Sequence, residues 1–154
     1  AFRAELEAAK SESTLQLLFK ASRWLDERAL ELAAQRTGGL RLRRSHTSLL
    51  PHIDLEGTRI TDLAERLGVS KQAASQLVDD LEAAGVVARE PDPDDARARR
   101  VVFTRKGREG LLEGLSLLRD MERELSRAIG EESMAELRRA LVAILAALQA
   151  PSSS

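Results

Sequence analysis

Ser70, Lys71, Gln72, Ser75 and Gln76 form a run of hydrogen-bonding side chains interrupted only by two alanines. Gln72 and Gln76 stand four residues apart, so on a helix they project from one face. A carboxamide offers a donor and an acceptor side by side, the pattern that pairs with the edge of adenine. Three acids, Asp79, Asp80 and Glu82, follow toward the end of the same segment. A second constellation lies downstream. Glu90, Asp92, Asp94 and Asp95 are acidic, whereas Arg97, Arg99, Arg100, Arg105, Lys106 and Arg108 are basic with no acid among them. A cationic hairpin tip of this kind suits a narrow electronegative groove. Asp95 precedes Arg97 by two residues and is placed to hold its guanidinium in a fork-type pair. Arg99 and Arg100 alternate faces along an extended strand, so only one shares the outward side, and Arg99 is assigned to it. Taken singly, such residues also suit an ordinary solvated helix face or a surface hairpin whose charges cancel.

The elements that carry them decide between these readings. Thr61 is placed to cap a helix over 62–67, with Leu63, Ala64 and Leu67 inward. Gly68 supplies a tight left-handed turn. Ser70 caps a second helix reaching about Ala84, with Ala74, Leu77, Val78 and Leu81 inward, and Gly85 ends it. Small Ala64 and Ala74 let the two helices cross closely. Such a helix-turn-helix sends the start of its second helix into a major groove. Val86–Arg89 and Arg99–Phe103, separated by a Pro/Asp loop, read as a β-hairpin. Before the motif, His46–Ile53 is short and helical, with Pro51 disturbing its register.

The flanks are of another kind. Leu15, Leu18, Ser22, Leu25, Ala29 and Leu32 mark a helical stripe, capped at Ser11 or Ser13 and stopped at Gly38-Gly39. Roughly 25 residues at 1.5 Å each give about 37 Å, longer than a small monomer usually needs. Thr104 is placed to cap another long helix with Leu111, Leu115, Leu118, Met121 and Leu125 on one face, interrupted at Gly130. A third stripe runs through Met134, Leu137, Leu141, Ile144, Leu145 and Leu148 to Pro151. These apolar faces need cover, either from each other within one chain or from a second copy.

Composition narrows the field. At 154 residues the chain has a one-domain length, and 43% hydrophobic with 32% charged residues marks a folded, charge-rich protein. Twenty-four Lys+Arg against 25 Asp+Glu leave a net charge of −1, so any polyanion-binding surface arises from local segregation of charge. With no cysteine, disulfides, thiolate metal sites and thiol redox sensing are excluded. His46 and His52 are six apart, which does not suit two ligands on one helical face, so no metal is expected. No apolar stretch is long enough to span a bilayer, no signal core is evident, and a cytoplasmic setting is expected. Phosphate-loop, nucleophile-elbow and metal-hydrolase motifs are missing, so neither an enzyme nor a cofactor is expected.

The run Ile60–Val87, followed by Asp92–Arg97 and Val101–Gly107, resembles the MarR family of winged helix-turn-helix transcription regulators. The resemblance covers Leu42 to Gly110 closely, and its most specific part is Asp92, Asp95 and Arg97 ahead of Phe103, Thr104 and Gly107. It implies a mainly α fold with a small β-hairpin wing, a winged helix-turn-helix with long N- and C-terminal dimerisation helices. The implied regions are an N-terminal dimerisation helix over 1–40, a DNA-binding lobe over 41–106, C-terminal dimerisation helices over 107–150 and a disordered tail over 151–154. It further implies a homodimer on a pseudo-palindromic operator in double-stranded DNA, acting as a repressor. Ser70, Lys71, Gln72, Ser75 and Gln76 fall on the contact positions of the recognition helix, with Arg97 at the wing tip and Asp95 orienting it. At Gln76 many relatives carry Arg, which touches operator preference rather than the mode of binding. Release by a small aromatic or phenolic ligand between the dimerisation region and the lobe is also implied. Trp24, His46, His52, Arg41, Arg43 and Arg44 border that region, and Trp24 and His46 are the ligand contacts assigned. A winged-helix protein-interaction module without DNA binding is the alternative; it would have no use for the polar helix face and the basic run.

Overall fold

In the computed structural model, residues 1–36, 42–95 and 97–149 are described below. The chain divides into two compact units, Ala1–Gly114 and Leu115–Ser154. The first holds the lobe with the helix-turn-helix and the helices that precede it. Its elements are α1 (Phe2–Glu12), α2 (Thr14–Arg36), α3 (Arg44–Leu49), a 3-10 turn (Leu50–His52), β1 (Thr58–Arg59), α4 (Ile60–Leu67), α5 (Lys71–Ala83), β2 (Val87–Pro91) and β3 (Arg99–Phe103). The start of α6 (Arg105–Ile129) completes it, and the second unit contains the rest of α6 and α7 (Glu131–Gln149).

Mainly helical with a small antiparallel sheet, the architecture is the winged helix the sequence implied. The lobe closes around Leu49, Ile53, Leu63, Val78, Leu81, Val86, Val87, Val101 and Phe103, all buried. Four of them come from the crossing of α4 and α5 and the strand after it, at the inward positions expected from period. Ala64 and Ala74 are buried at that crossing as well. Gly68 ends α4 at φ +65°, where only a residue without Cβ turns the chain at no steric cost. Ser70 then caps α5, its hydroxyl accepting the Ala73 amide at 3.1 Å. Pro51 sits in the 3-10 turn that follows α3, so the short segment changes helix type where the ring removes a donor.

Three local readings change. The expected hairpin is a three-stranded sheet of order β1-β3-β2, because Thr58 and Arg59 pair with Val101 and Arg100. Two residues are too few to show a strand period. That pairing also moves the start of α4: Arg59 is held extended at ψ 148°, and the helix begins at Ile60 rather than after a Thr61 cap. Ahead of the expected long helix, Phe2–Glu12 forms a helix of its own, with the break at Ser13 in β geometry. The Gly38-Gly39 stop, Arg41 and the tail from Pro151 lie outside the described residues.

Thr104 binds the sheet to α6. Its hydroxyl donates to the Gly85 carbonyl at 2.6 Å and accepts the Gly107 amide at 3.0 Å, capping the helix as expected. Gly107 is pressed so closely on the strand that a Cβ there would lie 2.0 Å from the Val86 carbonyl oxygen. The Thr-and-Gly ending of the wing is therefore a close-packing requirement. In the second unit, Gly130 separates α6 from α7 at φ +90°, where the sequence placed the break.

Candidate nucleic-acid interface

Along α5 the inward residues Ala74, Val78 and Leu81 fix which side faces out. Ser70, Lys71, Gln72 and Gln76 are exposed, and Ser75 is half-buried. The turn at Gly68 and the Ser70 cap thus present the first turns of the helix, where the sequence placed the contact residues. The Ser70 oxygen is already used as the cap.

The acids late in α5 have structural partners. Arg89 of β2 reaches back to Asp79 at 2.6 Å and to Glu82, while its backbone amide donates to Glu82 at 3.0 Å. The same guanidinium donates to the carbonyl and the hydroxyl of Ser75, each at 3.4 Å. Burial pulls Arg89 down, but the pairs with Asp79 and Glu82 outweigh it and hold the guanidinium above its ordinary value. One arginine therefore locks the base of the wing to α5. Sequence reading did not single it out; a lone Arg in a strand signals nothing until the strand is laid beside the helix.

Asp80 has a different set. Its carboxylate accepts from the His46 ring at 3.1 Å, from the Arg43 guanidinium at 2.5 Å and from the Gln76 amide at 3.4 Å. The His46 hydrogen bond, ahead of the Gln76 and Arg43 contributions, holds the Asp80 carboxyl below the usual carboxylate range. His46 is buried, and its Nδ1 accepts the Arg43 backbone amide at 3.1 Å. The ring proton then belongs on Nε2, pointing at Asp80. Both nitrogens of the residue assigned to a ligand are committed within the lobe.

In the wing, Asp92 is the organising acid. It is buried, takes the Arg59 guanidinium at 2.6 Å on one oxygen and the Asp94 amide at 2.9 Å on the other. The Arg59 pair first, and the Asp94 amide second, hold its carboxyl below the ordinary value. Asp95 accepts the backbone amide of Arg97 at 3.0 Å. The expected fork between Asp95 and the Arg97 guanidinium is not formed; the acid shapes the loop through the main chain, as a short Asx turn does. The Arg97 head is exposed, and among the described residues it makes no ion pair or hydrogen bond.

The basic run is not one patch. Arg99 is exposed at the end of β3, while Arg100 lies half-buried over Gly57, 3.7 Å from Glu90. Arg105 pairs with Glu109 at 2.8 Å, and Lys106 donates to the Ala84 carbonyl at 2.7 Å. Arg100 and Lys106 thus serve the fold, leaving Arg97 and Arg99 on the wing as outward cations.

Trp24 is exposed on α2, with the Lys20 ammonium 5.2 Å from its ring centroid. Beside it, α1 and α2 bound an open recess of about 730 Å³ whose lining includes Lys10, Phe19, Lys20, Arg23 and Arg44. Neither Trp24 nor His46 lines it. Among the described residues no cluster of His, Asp and Glu is arranged to hold a metal ion.

The sequence pattern of the MarR family matches residues 42–98, the lobe from before α3 through the wing loop. A transcriptional regulator, BldR of Sulfolobus solfataricus, is 32% identical, with 86% of this chain and 94% of that chain covered and a TM-score of 0.56. The chain belongs to the MarR family. It is accordingly a transcriptional regulator rather than an enzyme. The fold recurs in MarR itself from E. coli, at 23% identity, TM-score 0.66 and coverage of 86% and 98%. MepR, a regulator of the Staphylococcus aureus multidrug efflux pump MepA, has a TM-score of 0.69 at 20% identity, with 89% and 99% covered. No curated protein sequence matches the chain. Among the described residues no helix is long and apolar enough to cross a membrane.

Proposed function

We propose that two copies of this chain bind one pseudo-palindromic operator in double-stranded DNA, each placing α5 in a major groove and the wing in the adjoining minor groove. The observation that carries this is the exposed, polar start of α5, Ser70 to Gln76, on a helix whose opposite face is clamped into the core. Gln72 and Gln76 read base edges, Ser70, Lys71 and Ser75 support the contact, and Arg97 with Arg99 meets the minor groove and phosphates. Asp95 serves by fixing the main chain at Arg97.

Pairing is supported by burial. Helices α1, α2 and α7 contain no buried residue, though they carry Phe2, Leu15, Phe19, Trp24, Leu145 and Leu148. Long amphipathic helices that bury nothing are unstable in water alone, and a second copy supplies the missing cover. The regions that dimerise are those expected, 1–40 and 107–150, and the lobe between them binds DNA. Such occupancy of an operator, in the cytoplasm, acts as repression. A small aromatic or phenolic ligand then releases the protein by favouring another separation of the two lobes. Trp24 and the basic recess beside it are its suggested contacts, with His46 touched through the groups it already holds.

Selection of bound duplexes from a random pool tests the reading. The wild-type profile should show two half-sites about one helical turn, ~34–36 Å, apart. Gln72→Ala and Gln76→Ala should each relax one base position, whereas Arg97→Ala should weaken all duplexes alike. An unchanged profile in both glutamine variants would contradict the base-reading role.

A further inference from the structure

Asp80 joins the segment around α3 to α5 and also reaches a side chain on the exposed face of α5. Asp80 lies on α5 one turn beyond Gln76 and is half-buried. One of its carboxylate oxygens, Oδ2, is taken from within the lobe by Arg43 Nη2 and by His46 Nε2. The other, Oδ1, accepts Gln76 Nε2 at 3.4 Å. A carboxamide has two ends, and left in water it turns either one outward. Here the nitrogen end is drawn toward Asp80, so the oxygen and the second N–H remain for a ligand. That is the donor–acceptor pair that fits adenine N7 and N6.

We propose that Asp80, anchored by Arg43 and His46, is a positioning residue that fixes the orientation of the Gln76 carboxamide and so sets the base preferred at the position Gln76 reads. The inference rests on the reading that α5 lies in a major groove. It adds that the choice of base is made partly by His46 of α3 and by Arg43 just ahead of it, from outside the base-reading surface. Replacing Asp80 by Asn should reverse the choice. The two inner donors claim the single carbonyl oxygen of Asn, its NH₂ faces Gln76, and the glutamine must turn its own oxygen inward. The outward edge then carries an N–H where the oxygen stood, opposite the place of adenine N6, and a free lone pair of the oxygen where the N–H stood, so it no longer fits adenine and its donor meets guanine O6 or thymine O4 instead.

Duplex selection, with affinities for the four single-base variants of the selected site, is run on wild type, Asp80→Asn, Asp80→Ala, Arg43→Ala and Gln76→Ala. Wild type should prefer adenine at one position by about tenfold. Asp80→Asn should move that preference to guanine or thymine, and Asp80→Ala should flatten it, with the other positions retained. Arg43→Ala, on an exposed side chain, should flatten it more weakly and decides the matter if the Asp80 variants do not fold. In a Gln76→Ala background, Asp80→Asn should change nothing at that position. If Gln76→Ala alters the profile but every variant at Asp80 and Arg43 keeps the wild-type preference, with affinity lowered uniformly or not at all, the positioning role is overturned and the base-reading role survives. If Gln76→Ala leaves the profile unchanged, both fall.

Discussion

Helix α5 and helix α7 are both amphipathic in sequence, yet they behave oppositely in the folded chain. The 13 residues of α5 bury Ala74, Val78 and Leu81, whereas the 19 residues of α7 bury none. The lobe around α5 is also stitched by charge: Arg89 to Asp79 and Glu82, Arg59 to Asp92, Arg66 to Asp54. Two ion pairs of the second unit, Arg123 with Asp120 and Arg139 with Glu136, join neighbouring turns of one helix. An apolar stripe in a sequence shows that a face will be covered but not by what. The lobe supplies its own cover and can hold a surface in fixed geometry, while α7 leaves its apolar stripe uncovered and, on the proposed reading, is covered by a second copy.

That contrast can be broken by making one kind of substitution in both regions. Leu81→Ala, at a fully buried site, should cost about 2–5 kcal/mol in denaturant unfolding, at every protein concentration. Leu145→Ala should cost about 1.5–3 kcal/mol, but in the dimer–monomer equilibrium measured by sedimentation, with the lobe still folded. Equal, concentration-independent effects at the two sites would erase the distinction.

Acid offers a gentler probe. Asp54, Asp80 and Asp92, all in the lobe, are held below the ordinary 3.8 by Arg66, His46 and Arg59 respectively, each the largest cause. A carboxyl depressed on folding stabilises the native state above its unfolded value and loses that contribution as pH falls through the folded one. The lobe should therefore keep these contributions down to about pH 4 and lose them below it, by little at Asp54 and Asp80, which water screens, and chiefly at the buried Asp92. Thermal melts from pH 6 to pH 2.5 should show the decline for wild type and a shallower one for Asp92→Asn. A decline centred near pH 6 would place the sensitivity elsewhere.

What could be read in the sequence was local. Gly68, Ser70, Gly85 and Thr104 announce turns and caps through their own chemistry, and the inward set of α5 follows from its period. The β1 strand went unseen because two residues carry no period, and the Thr61 cap failed because strand pairing, a distant event, fixed Arg59. The same holds at the site. Sequence placed Ser70 to Gln76 and Arg97 on outward surfaces, yet it chose Asp95 as the acid for a guanidinium when the buried pair is Asp92 with Arg59, 33 positions apart. The links of Arg89 to Glu82 and Asp79, and of Asp80 to His46 and Arg43, span 7 to 37 residues, and only the fold brings them together.

The most direct test weighs the complex itself. Native mass spectrometry of the protein with its best selected duplex, at low ionic strength, should give two chains per duplex and a free protein of two chains, with affinity falling steeply as salt is raised. A free protein of one chain that forms no complex with any duplex would contradict the account.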